Sequence, residues 1–241
     1  MCEFLAAAFP EPEPFATLAP VAARLERLGI AGFGWGVAWL EEDAGDPAVR
    51  VVKGLGRFEE EAGEALAGGC SSRRFLVHLR RPSRLSTIQW ADTQPFSAGT
   101  EHAWCHNGLL QRAEELRSRW EDQLAGRADS EVGWAFFKEQ LAAGVPAAEA
   151  LRQVDQTFGG NVNLGYLDAG GSLLVYTHST TNPMWSFGWR GASLAVTSLH
   201  SDDRSVFDLV FKEASGARPL AAGTGVEVGA PLPSGAALTG S

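Results

Sequence analysis

The order of secondary-structure signals along the 241-residue chain predicts an α+β fold, with two mainly antiparallel sheets and helices packed outside them. Two observations carry that expectation. Strand-like apolar runs open and close the chain, whereas residues 109–158 show helical spacing. That segregation argues against a doubly wound design, and the chain shows no internal repeat, no heptads and no phosphate-binding glycine loop.

The elements follow in order. Residues 3–8 are apolar enough for a first strand, and the Pro-Glu-Pro-Glu-Pro run at 10–14 predicts a loop. Ala19 to Leu28 has helical spacing, with Gly29 placed to end it. Phe33 to Leu40 reads as a strand whose glycines keep one side open, and Gly45-Asp46-Pro47 follows as a turn. Glu59 to Ala67 predicts a short helix closed by Gly68-Gly69, and Phe75 to Leu79 a compact strand. A long irregular stretch, 81–101, leads to a strand at Ala103-Trp104-Cys105.

Helical periodicity then marks Leu109 to Leu124, Ser130 to Ala143 and Val145 to Phe158, with Pro146 suited to a first turn. From Asn163 the pattern turns to β. Leu164–Leu167 and Ser172–Thr177 flank an Asp168-Ala169-Gly170-Gly171 turn, and Leu194–Thr197, Val206–Phe211 and Gly225–Val228 complete the group. Residues 1–228 are expected to form a single domain, and 229–241, rich in Gly, Ala, Pro and Ser, a flexible C-terminal tail.

Composition narrows the function. Hydrophobic residues make up 45% and charged residues 20%, ordinary for a globular protein. A net charge of −9 argues against a general nucleic-acid binder, which needs a basic face. No apolar run is long enough for a membrane span, and the first residues do not read as a signal peptide. Three cysteines, Cys2, Cys70 and Cys105, fit a reducing cytoplasm better than a disulfide framework. Cys70, His102, Cys105 and His106 are zinc-type residues without a recognised spacing, so no metal or cofactor is expected. Cys105 and His106 are neighbours on a strand and point to opposite faces, which disfavours a thiol–imidazole dyad. Trp185 and Trp189 are expected to pack.

Four separated segments suggest chemistry. Cys2 directly follows Met1, so removal of Met1 would leave a thiol and an α-amine on one residue. An amine of ordinary pKa near 8 beside a thiol is a nucleophile with its own base. His78-Leu79-Arg80-Arg81-Pro82-Ser83 ends a strand. There Arg80 suits a substrate carboxylate, with the Ser83 hydroxyl as a second donor. Cys105-His106-Asn107-Gly108 is read as a strand giving way to a helix. Asn107 offers a side-chain amide and Gly108 a backbone N–H to an oxyanion. Asp129-Ser130-Glu131 opens a helix, and Asp129 suits a substrate ammonium. His78 and His106 read as structural supports.

Taken together, the chain resembles the class II glutamine amidotransferases of the N-terminal-nucleophile hydrolase superfamily. The likeness runs from Cys2 through Phe33-Gly34-Trp35-Gly36, His78-Leu79-Arg80 and Asp92-Thr93-Gln94-Pro95-Phe96 to His106-Asn107-Gly108 and Asp129-Ser130-Glu131. It implies a four-layer αββα sandwich and glutaminase-type chemistry through a Cys2 thioester. It implies Cys2 as nucleophile with its α-amine as base, Asn107 and Gly108 as oxyanion hole, and Arg80 and Asp129 as carboxylate and ammonium anchors. The compact, stand-alone members are the nearer match.

Two departures bear on the substrate. Arg80-Arg81-Pro82-Ser83 lacks the small-residue run that often follows the arginine, and Ala31-Gly32-Phe33 replaces an acidic approach. The expected substrate is glutamine or a γ-glutamyl compound. A synthase partner that accepts ammonia remains open, while nucleic acid and membrane are not expected partners. The rival reading is a non-catalytic module that keeps the fold and binds an amino acid or a partner protein.

Overall fold

A computed structural model describes residues 2–42, 45–66, 69–199 and 204–229. In chain order the elements are β1 (Glu3–Pro14), α1 (Ala19–Leu28), β2 (Trp35–Glu41), β3 (Ala48–Gly54), α2 (Phe58–Ala65) and β4 (Ser71–Leu79). Then come β5 (Phe96–Ala98), β6 (His102–Leu110), α3 (Ala113–Leu116), α4 (Asp129–Ala142) and α5 (Ala147–Phe158). The chain closes with β7 (Gly160–Asp168), β8 (Leu173–His178), β9 (Met184–Trp189), β10 (Ala192–Thr197), α6 (Arg204–Val210), β11 (Ser215–Pro219) and β12 (Thr224–Glu227).

The strands form two sheets, ordered β11-β9-β10-β1-β4-β2-β3 and β12-β8-β7-β6-β5, and their pairings are antiparallel. The alternation of side chains along a strand explains the layering. On β1, Leu5, Ala7 and Phe9 join the core shared with Val21 and Leu25 of α1, Phe58 of α2 and Phe207 of α6. Phe4, Ala6 and Ala8 point the other way and meet Ala103, Cys105, Leu167 and Val175 of the second sheet. The far face of that sheet, through Trp104, Leu164 and Tyr166, packs on Phe137, Leu151, Val154 and Phe158 of α4 and α5. Helices, sheet, sheet and helices stack in four layers, as an apolar face on both sides of each sheet requires.

Several local expectations change. β1 continues through the proline-rich run to Pro14, with a register shift against β4 between Ala8 and Glu13. The irregularity accommodates prolines that lack a ladder donor. β6 runs to Leu110 because its pairing with β7 continues to Leu110↔Gly160, so Asn107 and Gly108 lie inside a strand and not at a strand-to-helix junction. The helix expected from Leu109 is reduced to α3 and a 3-10 segment over Arg117–Gln123.

Residues 206–211, read as a strand, belong to a helix and the turn after it. Phe207, Val210 and Phe211 are buried at i, i+3 and i+4, whereas Asp208 and Leu209 are exposed. β3, β9 and β11 are further strands that the patterning did not single out, as is β5, which lies within the stretch read as irregular. Ala67 and Gly68, the expected helix end and the first glycine of its closure, and the tail from 230 onward lie outside the described residues. Among the described residues, no helix is long and apolar enough to cross a membrane.

Candidate active site

β1 and β4 lie side by side with Glu3 opposite Leu79. That register brings Cys2, just before β1, next to Arg80 and Arg81, just after β4. The Arg81 N–H donates to Cys2 Sγ at 3.3 Å, and the thiol lies 3.7 Å from Arg81 O. β6 contributes from the second sheet: Asn107 Nδ2 donates to the Cys2 carbonyl oxygen. A cavity of about 210 Å³ opens beside the thiol, and Cys2, Arg80, Ser83, Gly108 and Asp129 line it. Five of the six residues singled out from sequence share this cavity wall. The sixth, Asn107, is buried behind Cys2.

The glycines of Phe33-Gly34-Trp35-Gly36 make room for neighbouring chain, so that side of β2 is filled and not open as the sequence suggested. A Cβ on Gly36 would collide with the Gln94 carbonyl oxygen and lie 2.7 Å from Pro95 Cδ. One on Gly34 (φ +117°) would lie 3.3 Å from Arg80 Cδ. The turn at Thr93-Gln94-Pro95, with a cis Gln94–Pro95 bond, therefore packs onto β2 above the arginine. Lys53 on β3 holds the same turn, donating to Thr93 O at 2.9 Å.

Arg80 is buried, and its guanidinium is gripped by that loop. It donates to Asp92 O, to Thr87 O at 2.6 Å and to Thr87 Oγ1 at 2.9 Å, while its Nε has no acceptor among the described residues. A guanidinium carries five N–H donors, of which these contacts use three. Asp92, also buried, accepts from Arg127 N and Ala128 N, both at 2.7 Å, through Oδ1. One loop thus fixes both the arginine and the entry to α4. Asp129 is the first residue of α4 and does not cap it; its Oδ2 accepts from Leu110 N at 2.8 Å. A carboxylate in the first helical turn is favoured by the helix dipole.

The Cys2 thiol is half-buried at the cavity wall. Burial pushes the Cys2 thiol up, opposed only in part by the Arg81 N–H and the Arg80 charge. His78 is fully buried, and burial pushes it down to about 3 against the opposing pull of the His106 backbone. His106 is also lowered by burial, against the pull of Asp129, and its Nδ1 lies 2.9 Å from Ser130 Oγ. Both imidazoles are neutral near pH 7.

Cys105 lies in the core between the sheets and Cys70 in the layer of α1 and α2, so the zinc-type residues do not gather. Among the described residues no cluster suits a metal ion. Trp185 stacks on Phe207, and Trp189 donates to Lys212 O at 3.0 Å, so both pack away from the cavity.

Sequence reasoning assigned no role to Glu3, Thr87, Ser130, Asn163 or Asn182. Asp92 and Gln94 were visible only as parts of a matched motif. Gln94 Oε1 accepts from His106 N at 2.6 Å, tying the loop to β6. A buried polar residue in a strand, such as Asn163, leaves little trace in a pattern that reads apolar alternation.

The two-sheet sandwich with a cavity at the chain start is the N-terminal-nucleophile hydrolase type of fold. Solved structures agree. The glutamine phosphoribosylpyrophosphate (PRPP) amidotransferase from B. subtilis complexed with ADP and GMP superposes with a TM-score of 0.65 at 17% identity, over 91% of this chain and 44% of that one. The structure of the allosteric regulatory enzyme of purine biosynthesis matches with the same TM-score, identity and coverage. The chain spans less than half the length of these proteins. No curated protein matches it. Residues 1–207 match the family Glutamine amidotransferases class-II, and the chain belongs to that family.

Proposed function

We propose that the protein cleaves the side-chain amide of glutamine, or of a γ-glutamyl compound, through a thioester on Cys2. The observation that carries this reading is a single cavity that exposes the Cys2 thiol between Arg80, Gly108 and Asp129. The carboxylate of the amino-acid head would bind Arg80 and Ser83, and its ammonium would bind Asp129. This orientation leaves the side-chain amide to reach Cys2.

The raised thiol requires a base. Once Met1 is removed, the α-amine of Cys2 takes the thiol proton as Sγ bonds to the amide carbon. The oxyanion that forms is held by Asn107 Nδ2 and the Gly108 N–H. The proton then passes to the leaving nitrogen, the C–N bond breaks, and ammonia or an amine departs. Water attacks the thioester, releases glutamate and returns the proton to sulfur.

A synthase that uses the ammonia would raise glutamate release when added, whereas a γ-glutamyl hydrolase would favour a larger γ-glutamyl compound over glutamine without a partner. The test pairs intact mass with activity. A Met1-free protein should take up one glutamine-like diazoketone on Cys2, and Cys2→Ala should stay folded with no glutamate release. Retained release by folded Cys2→Ala excludes the thioester.

A further inference from the structure

We propose that Asn163 is a positioning residue, supported by Asn182 and Thr177, that sets which end of the Asn107 amide faces the nucleophile. The inference rests on the reading of Asn107 as an oxyanion donor. An asparagine amide has one donating and one accepting end of nearly equal size, so its usefulness to an oxyanion depends on what holds it the right way round.

Sheet register builds the support. Asn107 on β6 lies directly opposite Asn163 on β7, and Asn163 lies opposite Thr177 on β8. Directly opposed residues share a face, so the three side chains form one row across three strands. All three are buried.

The orientation follows from groups that have no choice of role. A backbone carbonyl only accepts. Asn163 lies 2.8 Å from Asn182 O, so the atom facing that carbonyl is Nδ2. The same Nδ2 lies 2.8 Å from Asn107, which must therefore present Oδ1. Thr177 Oγ1 completes Asn163 by donating to its Oδ1 at 2.7 Å. Asn182 Nδ2 adds a longer contact to Asn107 Oδ1 at 3.5 Å, and Ser198 Oγ donates to Asn182 Oδ1 at 3.1 Å.

With its oxygen committed to the row, Asn107 turns Nδ2 to Cys2, where the Cys2 carbonyl takes one hydrogen. In the proposed mechanism the other hydrogen serves the oxyanion. Reversing the amide would set Oδ1 against the Cys2 carbonyl and Nδ2 against the Asn163 amide nitrogen, two like-against-like contacts away from water.

The test is a double-mutant cycle in the Met1-free protein, with kcat and KM read from glutamate release on glutamine or the best γ-glutamyl substrate. Asn163→Asp keeps the shape but replaces the donor by an acceptor. It should lower kcat by about 10²–10³-fold, the loss typical of one oxyanion donor, with KM nearly unchanged. In an Asn107→Ala background the same change should have no further effect on kcat. Thr177→Val offers a milder arm: kcat should fall several-fold, with Thr177→Ser restoring it.

Wild-type kcat in a folded Asn163→Asp overturns the inference alone, as does an equal loss in the Asn107→Ala background. If Asn163→Asp does not fold, unchanged kcat in Thr177→Val overturns it. No glutamate release by the Met1-free wild type on any γ-glutamyl substrate overturns the underlying reading as well.

Discussion

Replacing Gly108 with alanine tests the site at its tightest point. Gly108 has φ +133°, and an added Cβ would overlap the Asn161 carbonyl oxygen and come within 2.8 Å of its carbon. Two costs add. Holding an L-residue in that backbone region costs about 1–3 kcal/mol. Relieving the overlap means moving β6 from β7 by on the order of 1 Å, which weakens at least one ladder hydrogen bond worth about 1 kcal/mol. The expected loss of stability is thus about 2–4 kcal/mol, or a fall in Tm of about 5–15 °C for a chain of this size.

Activity should fall further than stability suggests, because the Gly108 N–H would shift with the strand. A misplacement of about 1 Å costs on the order of 10²-fold in rate. Thermal melting and glutamate-release kinetics read the two effects. Gly144→Ala is the control: its φ is +82°, but nothing lies within 4 Å of the added Cβ. It should lower Tm by only a few degrees and leave kcat unchanged. A Gly108→Ala protein with wild-type Tm and kcat refutes the argument from close approach.

Asp92→Ala removes the acceptor for Arg127 N and Ala128 N. Leaving two such donors unpaired costs about 2–4 kcal/mol. Loosening of Arg80 and of the start of α4 should raise KM more than it lowers kcat; unchanged KM argues against the anchor roles. A second expectation concerns pH. Burial pushes the Glu3 carboxyl up to about 7 from an ordinary 4.5, despite hydrogen bonds from Thr197 and Asn182. The native state then holds a proton that the unfolded chain has lost. Glu3's contribution is complete below pH 4.5 and disappears as pH rises through about 7, a swing of about 3 kcal/mol. Glu3→Gln should remove that slope in urea unfolding curves taken across this range. Parallel curves for the two proteins would sink the assignment.

Much of the fold was legible because it depends on spacing near in the chain. Ala19–Leu28 repeats its apolar residues at helical period, and the helix has those bounds. Leu164–Leu167 and Ser172–Thr177 alternate around a glycine turn and pair as expected. The site was legible for a different reason: its residue types at those positions carry a family pattern, and five of its six members line one cavity.

Where neighbours in space outvote neighbours in sequence, the pattern misled. Leu109 and Leu110 look helical but complete β6 because Gly160 and Asn161 lie opposite them. Val206–Phe211 looks like a strand, yet Phe207, Val210 and Phe211 face one core only as a helix and its final turn.

By itself, then, the sequence determined the layered α+β class, the helix at 19–28, and the residue types that would meet at Cys2. Tertiary structure alone decided the register that sets Asn107 beside Asn163 and Thr177, the loop grip on Arg80, and the raised carboxyl of Glu3. The physical reason is that hydrogen bonding and desolvation act between groups such as Glu3 and Thr197, which are distant along the chain and adjacent only once the two sheets have packed.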